Sequence, residues 1–359
     1  MVGPAGPCLA RRGHTWTGPA PGIGHPPELR CSGMVQQLCS GGMTARAYRP
    51  RRTTLSVPAS NPRFAAKARE LPVDEVFLDL EDAVAAAEKE RSRAAVVQAL
   101  RDGGWGSKTR AVRVNDVRTG WAYRDVVDIV EQAGEWLDAI VLPKVTGPLD
   151  VGWLDLLLSQ IEQATGLAPG RIAIEAQIED AAGLAAADAI AAASPRLEAL
   201  VFGPADFMAS LGMRSLTVGA QPAGYAAGDA FHYAHLRILV AARAHGLQAI
   251  DGPFAAISNT AGLAASAASA AAIGFDGKWV LHPGQVDVVN AEFSPSQADY
   301  DRAELLIEAY EYYTTVLRRG AAMLDGEMID EASRKLALVV AVRGRAAGLT
   351  RTRRFEPPE

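Results

Sequence analysis

Short runs of β-branched and other apolar residues alternate along this chain with longer Ala-rich segments. In the longer segments apolar residues recur every three or four positions. The short runs predict strands at 53–57, 76–80, 110–115, 139–145, 172–179, 199–203, 248–252 and 278–282. The longer segments predict helices at 88–101, 120–132, 149–165, 181–193, 229–245 and 259–273. Such alternation predicts a parallel sheet with helical crossovers. Eight units in roughly 240 residues suit a closed (β/α)8 TIM barrel, an α/β fold of about 250 residues. An open doubly wound sheet is the alternative. No GxGxxG follows the first strand and no GxxxxGK[ST] occurs, which disfavours a dinucleotide or P-loop site.

The rhythm changes after Pro295. One long helix is predicted at 296–319, with Ser294 a possible cap, then a break at 320–326 and a second helix at 328–344. A long helix of 24 residues spans about 36 Å. This C-terminal helical extension, 296–359, is expected to pack on the barrel's surface or on a neighbouring subunit. The barrel itself is expected to occupy 43–295. Residues 1–42 are rich in Gly, Pro and Ser without periodicity. They read as a disordered leader or a misassigned start with Met43 the natural one, or as a functional tail.

Composition narrows the function classes. Of 359 residues, 49% are hydrophobic and 21% charged, as in a globular protein with a sizeable core. The net charge of −5 and the lack of a basic run in the body argue against nucleic acid as a partner. The stretch 254–275 carries no charge and is mostly Ala and Ser, with an Asn and a Thr. It is too weakly apolar for a membrane span. All three cysteines, Cys8, Cys31 and Cys39, precede Met43. Thiol nucleophiles, thiolate zinc sites and disulfides are therefore excluded from the body, and a cytoplasmic location is the expectation.

Active sites of such barrels lie at the C-terminal strand ends. The predicted ends carry Asp79, Glu81 and Asp82, then Arg113 and Asn115, Lys144, Glu175 to Asp180, Asp206, and Asp251. This is a ring of carboxylates around one Arg and one Lys. Carboxylates from separate strands suit a hard cation such as Mg²⁺, and an Arg opposite suits a carboxylate or a developing enolate oxygen. The alternative is that these acids cap helices or form salt bridges, and capping is favoured for Asp82 and Asp180. His232 and His235, three apart on a predicted helix, lack an evident third ligand, and His282 before Pro283 reads as structural.

Several segments also resemble one family. They are S-V-P-A-S-N-P-R-F at 56–64, F-L-D-L-E-D-A-V at 77–84, R-V-N at 113–115 and I-E-D-A-A-G at 178–183. With them go F-G-P-A-D-F at 202–207, G-F-D-G-K at 274–278, H-P-G-Q at 282–285 and G-E-M-I-D at 326–330. Together these resemble the citrate lyase β-subunit/malyl-CoA lyase family of the HpcH/HpaI aldolase superfamily, from about 52 to 342. Asp180 stands where many relatives have Thr, and Ala182 where Arg is frequent.

The resemblance implies a Mg²⁺-dependent acyl-CoA lyase, with Mn²⁺ an alternative metal. Glu179 and Asp206 match the metal ligands. Arg113 matches the residue that steadies the thioester enolate, and Asp79 and Glu81 match acids near the metal. Asp330 matches a catalytic acid/base supplied by the tail over a neighbour's site, so a homo-oligomer, trimer or hexamer, is expected. Arg63 and Lys67 are plausible contacts for CoA phosphates. The implied substrates are a CoA thioester and a 2-oxo acid. The opening motif and the insertion at 210–228 look more like malyl-CoA lyases, favouring malyl-CoA or β-methylmalyl-CoA cleaved to glyoxylate. Citramalyl-CoA or citrate lyase β-like chemistry, a metal-dependent aldolase without CoA, and a non-catalytic binding subunit are the alternatives.

Overall fold

The structure is a computed structural model and describes residues 48–357, so the predicted leader lies outside the described residues. Eight parallel strands close into a barrel. They are β1 (Thr53–Pro58), β2 (Glu75–Asp79), β3 (Thr109–Arg113), β4 (Ala139–Leu142), β5 (Ala173–Ile178), β6 (Leu197–Phe202), β7 (Gln248–Asp251) and β8 (Gly277–Val280). All eight expected strands are present, with ends shifted by up to three residues. Closure occurs where Thr53 pairs with Lys278 and Leu55 with Val280. The approach is close at its lower end, where a Cβ on Gly277 would lie 1.6 Å from the Arg51 carbonyl oxygen. Only glycine fits there. Among the described residues no helix is long and apolar enough to cross a membrane.

Two-residue periodicity builds the interior in layers. On β2, Glu75, Phe77 and Asp79 alternate inward at the bottom, middle and top, and Glu175 and Gln177 on β5, with Glu179 just past its end, follow the same order. The middle layer is apolar, with Phe77, Ala111, Val141, Val201, Ile250 and Trp279 all buried. The bottom is a polar plug. Arg51, 1% exposed, sits 2.8 Å from both Glu75 and Glu175 and 2.7 Å from Glu198. Burial, then the Glu175 charge, pushes the Glu75 carboxyl well above the usual range despite Arg51.

A raised carboxyl pKa means that the folded state holds a proton the unfolded chain releases. The stability linked to it is complete below the unfolded Glu value and is lost as pH rises through the folded one. Glu75→Gln keeps a neutral side chain at all pH values. Its melting temperature is expected to fall less than the wild type's between pH 5 and pH 9, and to exceed it at the alkaline end. Parallel melting curves for the two proteins across that range would refute the assignment.

The extension departs from expectation. Its first helix is Gln297–Thr315, capped by Ser296 rather than Ser294. It spans about 28 Å at 1.5 Å per residue, less than the predicted 36 Å, because the chain turns at Arg318, whose φ is +54°. The expected second helix at 328–344 begins instead at Glu331 and runs to Ala346. Before it comes an antiparallel hairpin of β9 (Ala322–Leu324) and β10 (Glu327–Ile329). Asp325 and Gly326, both with positive φ, form its two-residue turn. The two helices pack on each other, with the Tyr300 ring against Gly344. Arg343 anchors the pair on the barrel's N-terminal end through the Gly274 and Phe275 carbonyls and Asp276.

Candidate active site

The register of the sheet sets the top layer. Asp79 and Arg113 are direct cross-strand partners at the ends of β2 and β3. The Arg113 guanidinium forks onto Asp79, with Nε to Oδ1 at 2.8 Å and Nη2 to Oδ2 at 2.6 Å. Its Nη1 lies 3.1 Å from Glu81 Oε2. Beneath it, the guanidinium carbon is 5.3 Å from the Trp279 ring centroid and 5.9 Å from that of Phe77. Planar edges held by carboxylates and a face held by aromatic rings leave this cation one orientation. Burial pulls its pKa down, but Asp79 and Glu81 more than offset that, so it stays charged.

A second set of contacts crosses the mouth from β4 to β5. Lys144, just past β4, has φ +52°, in the left-handed region. Its backbone N–H donates to Glu179 Oε1 at 2.6 Å, and its Nζ donates to Glu81 Oε1 at 2.6 Å. The other Glu179 oxygen accepts from Gln177 Nε2 at 2.5 Å. Gly203 makes room for this carboxylate, since a Cβ there would fall 2.6 Å from Glu179 Oε2. Burial drives the Glu179 carboxyl well above its usual range. Arg113 opposes that shift and Asp206 adds to it, so both lie within electrostatic reach. Glu81 is likewise raised by burial, with Arg113 and Lys144 opposing.

Asp206 is half-buried in the first turn of the short helix Pro204–Ser210 that follows β6. Glu179 and Asp206 thus lie within electrostatic reach of each other at the mouth, one buried and the other half-buried. Among the described residues no group of three or more His, Cys, Asp or Glu is placed to hold a metal. A two-carboxylate set still suits Mg²⁺, which commonly takes one or two carboxylates and completes its octahedron with water or substrate oxygens. The donor chemistry and the cradle at Gly203 fit that ion.

The remaining predicted residues fall elsewhere. Arg63 and Lys67 are exposed, one turn apart on the helix Pro62–Glu70 beyond β1, which Asn61 caps. Among the described residues no hydrogen bond or ion pair brings Asp330 to the mouth of its own barrel. It caps the helix Glu331–Ala346 in a capping box with Ser333. Asp180 caps the helix Ala181–Ala185, as expected. Asp82 does not cap: the next α-helix starts only at Lys89, and Asp82 instead lies 3.4 Å from Lys144 Nζ. His235 packs edge-on against Phe202 and Phe275, 3.1 Å from Asp251, while His232 is exposed, so the two do not converge. His282 accepts from the Gly284 N–H, a structural role.

One contributor escaped the sequence reading. Buried Lys89 donates from Nζ to the Leu80 and Glu81 carbonyls and to Asn115 Oδ1, fixing the turn that carries the acids. Its signal was a Lys at the head of a helix, where a cation opposes the helix dipole.

Comparison with known proteins agrees with this geometry. The family model for HpcH/HpaI aldolase/citrate lyase matches residues 52–283. The chain is 39% identical over 300 residues to an L-malyl-CoA/beta-methylmalyl-CoA lyase of Cereibacter sphaeroides, covering 81% of this chain and 94% of that one. It is 32% identical to the citrate lyase subunit beta of Escherichia coli K12, covering 82% and 95%. Among solved structures it is similar to protein CitE from Mycobacterium tuberculosis in complex with magnesium, acetoacetate and coenzyme A. That match has a TM-score of 0.64 and 30% identity, covering 84% of this chain and all of the other.

Proposed function

The chain belongs to the HpcH/HpaI aldolase/citrate lyase family, and from that premise we propose that it is a Mg²⁺-dependent CoA-ester lyase that cleaves malyl-CoA or β-methylmalyl-CoA. The observation that carries this reading is the Arg113 fork, fixed on Asp79 and Glu81 within electrostatic reach of Glu179 and Asp206. The relative at 39% identity, named for malyl-CoA and β-methylmalyl-CoA, favours these substrates over citrate-type ones.

Cleavage breaks the bond between the carbinol carbon and the carbon α to the thioester. The electron pair stays on the acyl-CoA fragment as an enolate, the hydroxyl proton passes to solvent, and the carbinol carbon becomes the aldehyde carbon of glyoxylate. Bound by Glu179 and Asp206, Mg²⁺ supplies Lewis acidity and a template for the oxygens of the 2-oxo acid. Arg113 presents a fixed positive charge to the enolate oxygen without reorganising during reaction. Asp79 has both oxygens on Arg113, so we assign it to hold that cation rather than to move a proton. A carboxylic acid then returns a proton to the enolate carbon, the role assigned to Asp330.

Asp330 reaches a mouth only if subunits associate. From the Arg343 anchor it stands 13 residues along its helix, about 20 Å at 1.5 Å per residue. The hairpin beside it exposes the cross-strand pair Met323 and Met328, at 60% and 68%, and Leu336 follows at 72%. An apolar face of this kind fits a partner surface. We therefore assign the protein to a homo-oligomer, a trimer or hexamer, in which the extension covers a neighbour's site.

The test is a coupled assay crossing acetyl-CoA and propionyl-CoA with glyoxylate, pyruvate and oxaloacetate, with Mg²⁺ and with chelator. Metal-dependent turnover with glyoxylate is expected. Turnover with pyruvate or oxaloacetate alone would overturn the substrate choice, and none with any pair would overturn the lyase reading. In the same assay Arg63→Ala with Lys67→Ala is expected to raise KM for acyl-CoA by about threefold to tenfold at nearly unchanged kcat, since surface charge acts mostly on binding. An unchanged KM would leave both side chains as solvated surface.

A further inference from the structure

Lys144 is a lysine held in backbone geometry that usually belongs to glycine, and both of its donors are engaged in the mouth. At φ +52° it pays a steric cost that persists where surrounding structure demands it, most often at functional sites. That conformation turns its N–H onto Glu179 Oε1, while its side chain, 31% exposed, crosses to Glu81. Glu81 in turn contacts Arg113. One residue thus links the carboxylate assigned to the metal with the carboxylate that braces the Arg113 cation.

We propose that Lys144 is a two-ended positioning residue: its left-handed backbone N–H sets the Glu179 carboxylate for the metal, and its ammonium sets Glu81 against Arg113. The inference rests on the lyase reading for its effect on turnover but not for its effect on the backbone. The two ends are separable by chemistry. Glycine adopts positive φ freely and keeps the N–H, so Lys144→Gly removes the side chain with its ammonium and leaves the backbone donor in place. Valine also lacks the ammonium, but a β-branched residue is a severe outlier at positive φ. Lys144→Val therefore withdraws the N–H from Glu179 as well.

Three variants decide the matter, each compared with the wild type in kcat, KM for acyl-CoA, Mn²⁺ affinity by calorimetry, and melting temperature. Lys144→Gly is expected to lose at least about tenfold in kcat, with KM and Mn²⁺ affinity near wild type and no drop in melting temperature. Lys144→Val is expected to lose about tenfold in Mn²⁺ affinity relative to Lys144→Gly and to melt below it. Lys144→Arg, which keeps a cationic donor, is expected to recover part of the kcat lost in Lys144→Gly. Wild-type kcat in Lys144→Gly would overturn the role of the ammonium. Equal Mn²⁺ affinity and equal melting temperature in the Gly and Val variants would overturn the role of the backbone. If the wild type itself turns over no acyl-CoA, the lyase reading falls, while the melting comparison still decides the backbone half.

Discussion

Replacing Glu179 by Gln is expected to lower kcat by on the order of 10³ or more while leaving the fold intact, because a metal-held Lewis acid supplies several kcal/mol of charge stabilisation. The intact fold follows from the environment. Glu179 is 2% exposed and burial already opposes its ionised form, so a neutral replacement removes a cost rather than adding one. Gln can still accept from the Lys144 N–H, though its amide must then face the Gln177 amide. Asp206→Asn is expected to behave alike, with an even smaller change in melting temperature, since Asp206 is only half-buried. Mn²⁺ titration should show lost binding in both variants. Turnover that survives excess chelator, or a Glu179→Gln variant with wild-type kcat, would remove these two residues from the metal role.

The barrel was legible because its signal is periodic and redundant. Each strand is a short apolar run bounded by helical spacing, and eight repetitions leave little room for another topology. The acidic and basic strand ends were legible for the same reason, since ends could be located once strands were. What stayed hidden depends on direction rather than position. Nothing in the sequence shows that Asp79 spends both oxygens on Arg113, because that follows from the β2–β3 register. The buried plug of Arg51 with Glu75, Glu175 and Glu198 was invisible too: it joins residues 24, 124 and 147 positions apart.

The tail failed for a more local reason. The Asp325-Gly326 pair, flanked by Ala-Met-Leu and Glu-Met-Ile, is a strong hairpin signal, but three-residue strands are too short to show alternation against a helical background. Met328 and Ile329 were absorbed into the helix that follows. The correction matters for function, because it makes Asp330 the first polar residue after a strand and gives it a cap's extended backbone. Capping and proton transfer then compete as explanations of the same side chain.

Mixing two inactive variants, Asp330→Asn and Arg113→Ala, is expected to restore activity if subunits exchange. Asn replaces Asp as a helix cap at little cost, so this change removes the acid while keeping the structural contribution that Asp330 makes through Ser333. A drop in kcat without a drop in melting temperature would already set capping aside. In the isolated chain the Ser333 hydrogen bonds lower the Asp330 pKa. The group is therefore ionised at neutral pH, in the form that accepts a proton from acyl-CoA in the condensing direction. If the extension serves a neighbouring barrel, a site is whole when an Asp330→Asn subunit supplies Arg113 and an Arg113→Ala subunit supplies Asp330. Random exchange of equal amounts makes about a quarter of the sites whole in a ring with one-way contacts. Recovery near that fraction of wild-type activity would establish sharing between subunits. No recovery despite exchange, followed by mass spectrometry of differently labelled subunits, would mean that both residues act within one chain or that Asp330 only caps its helix.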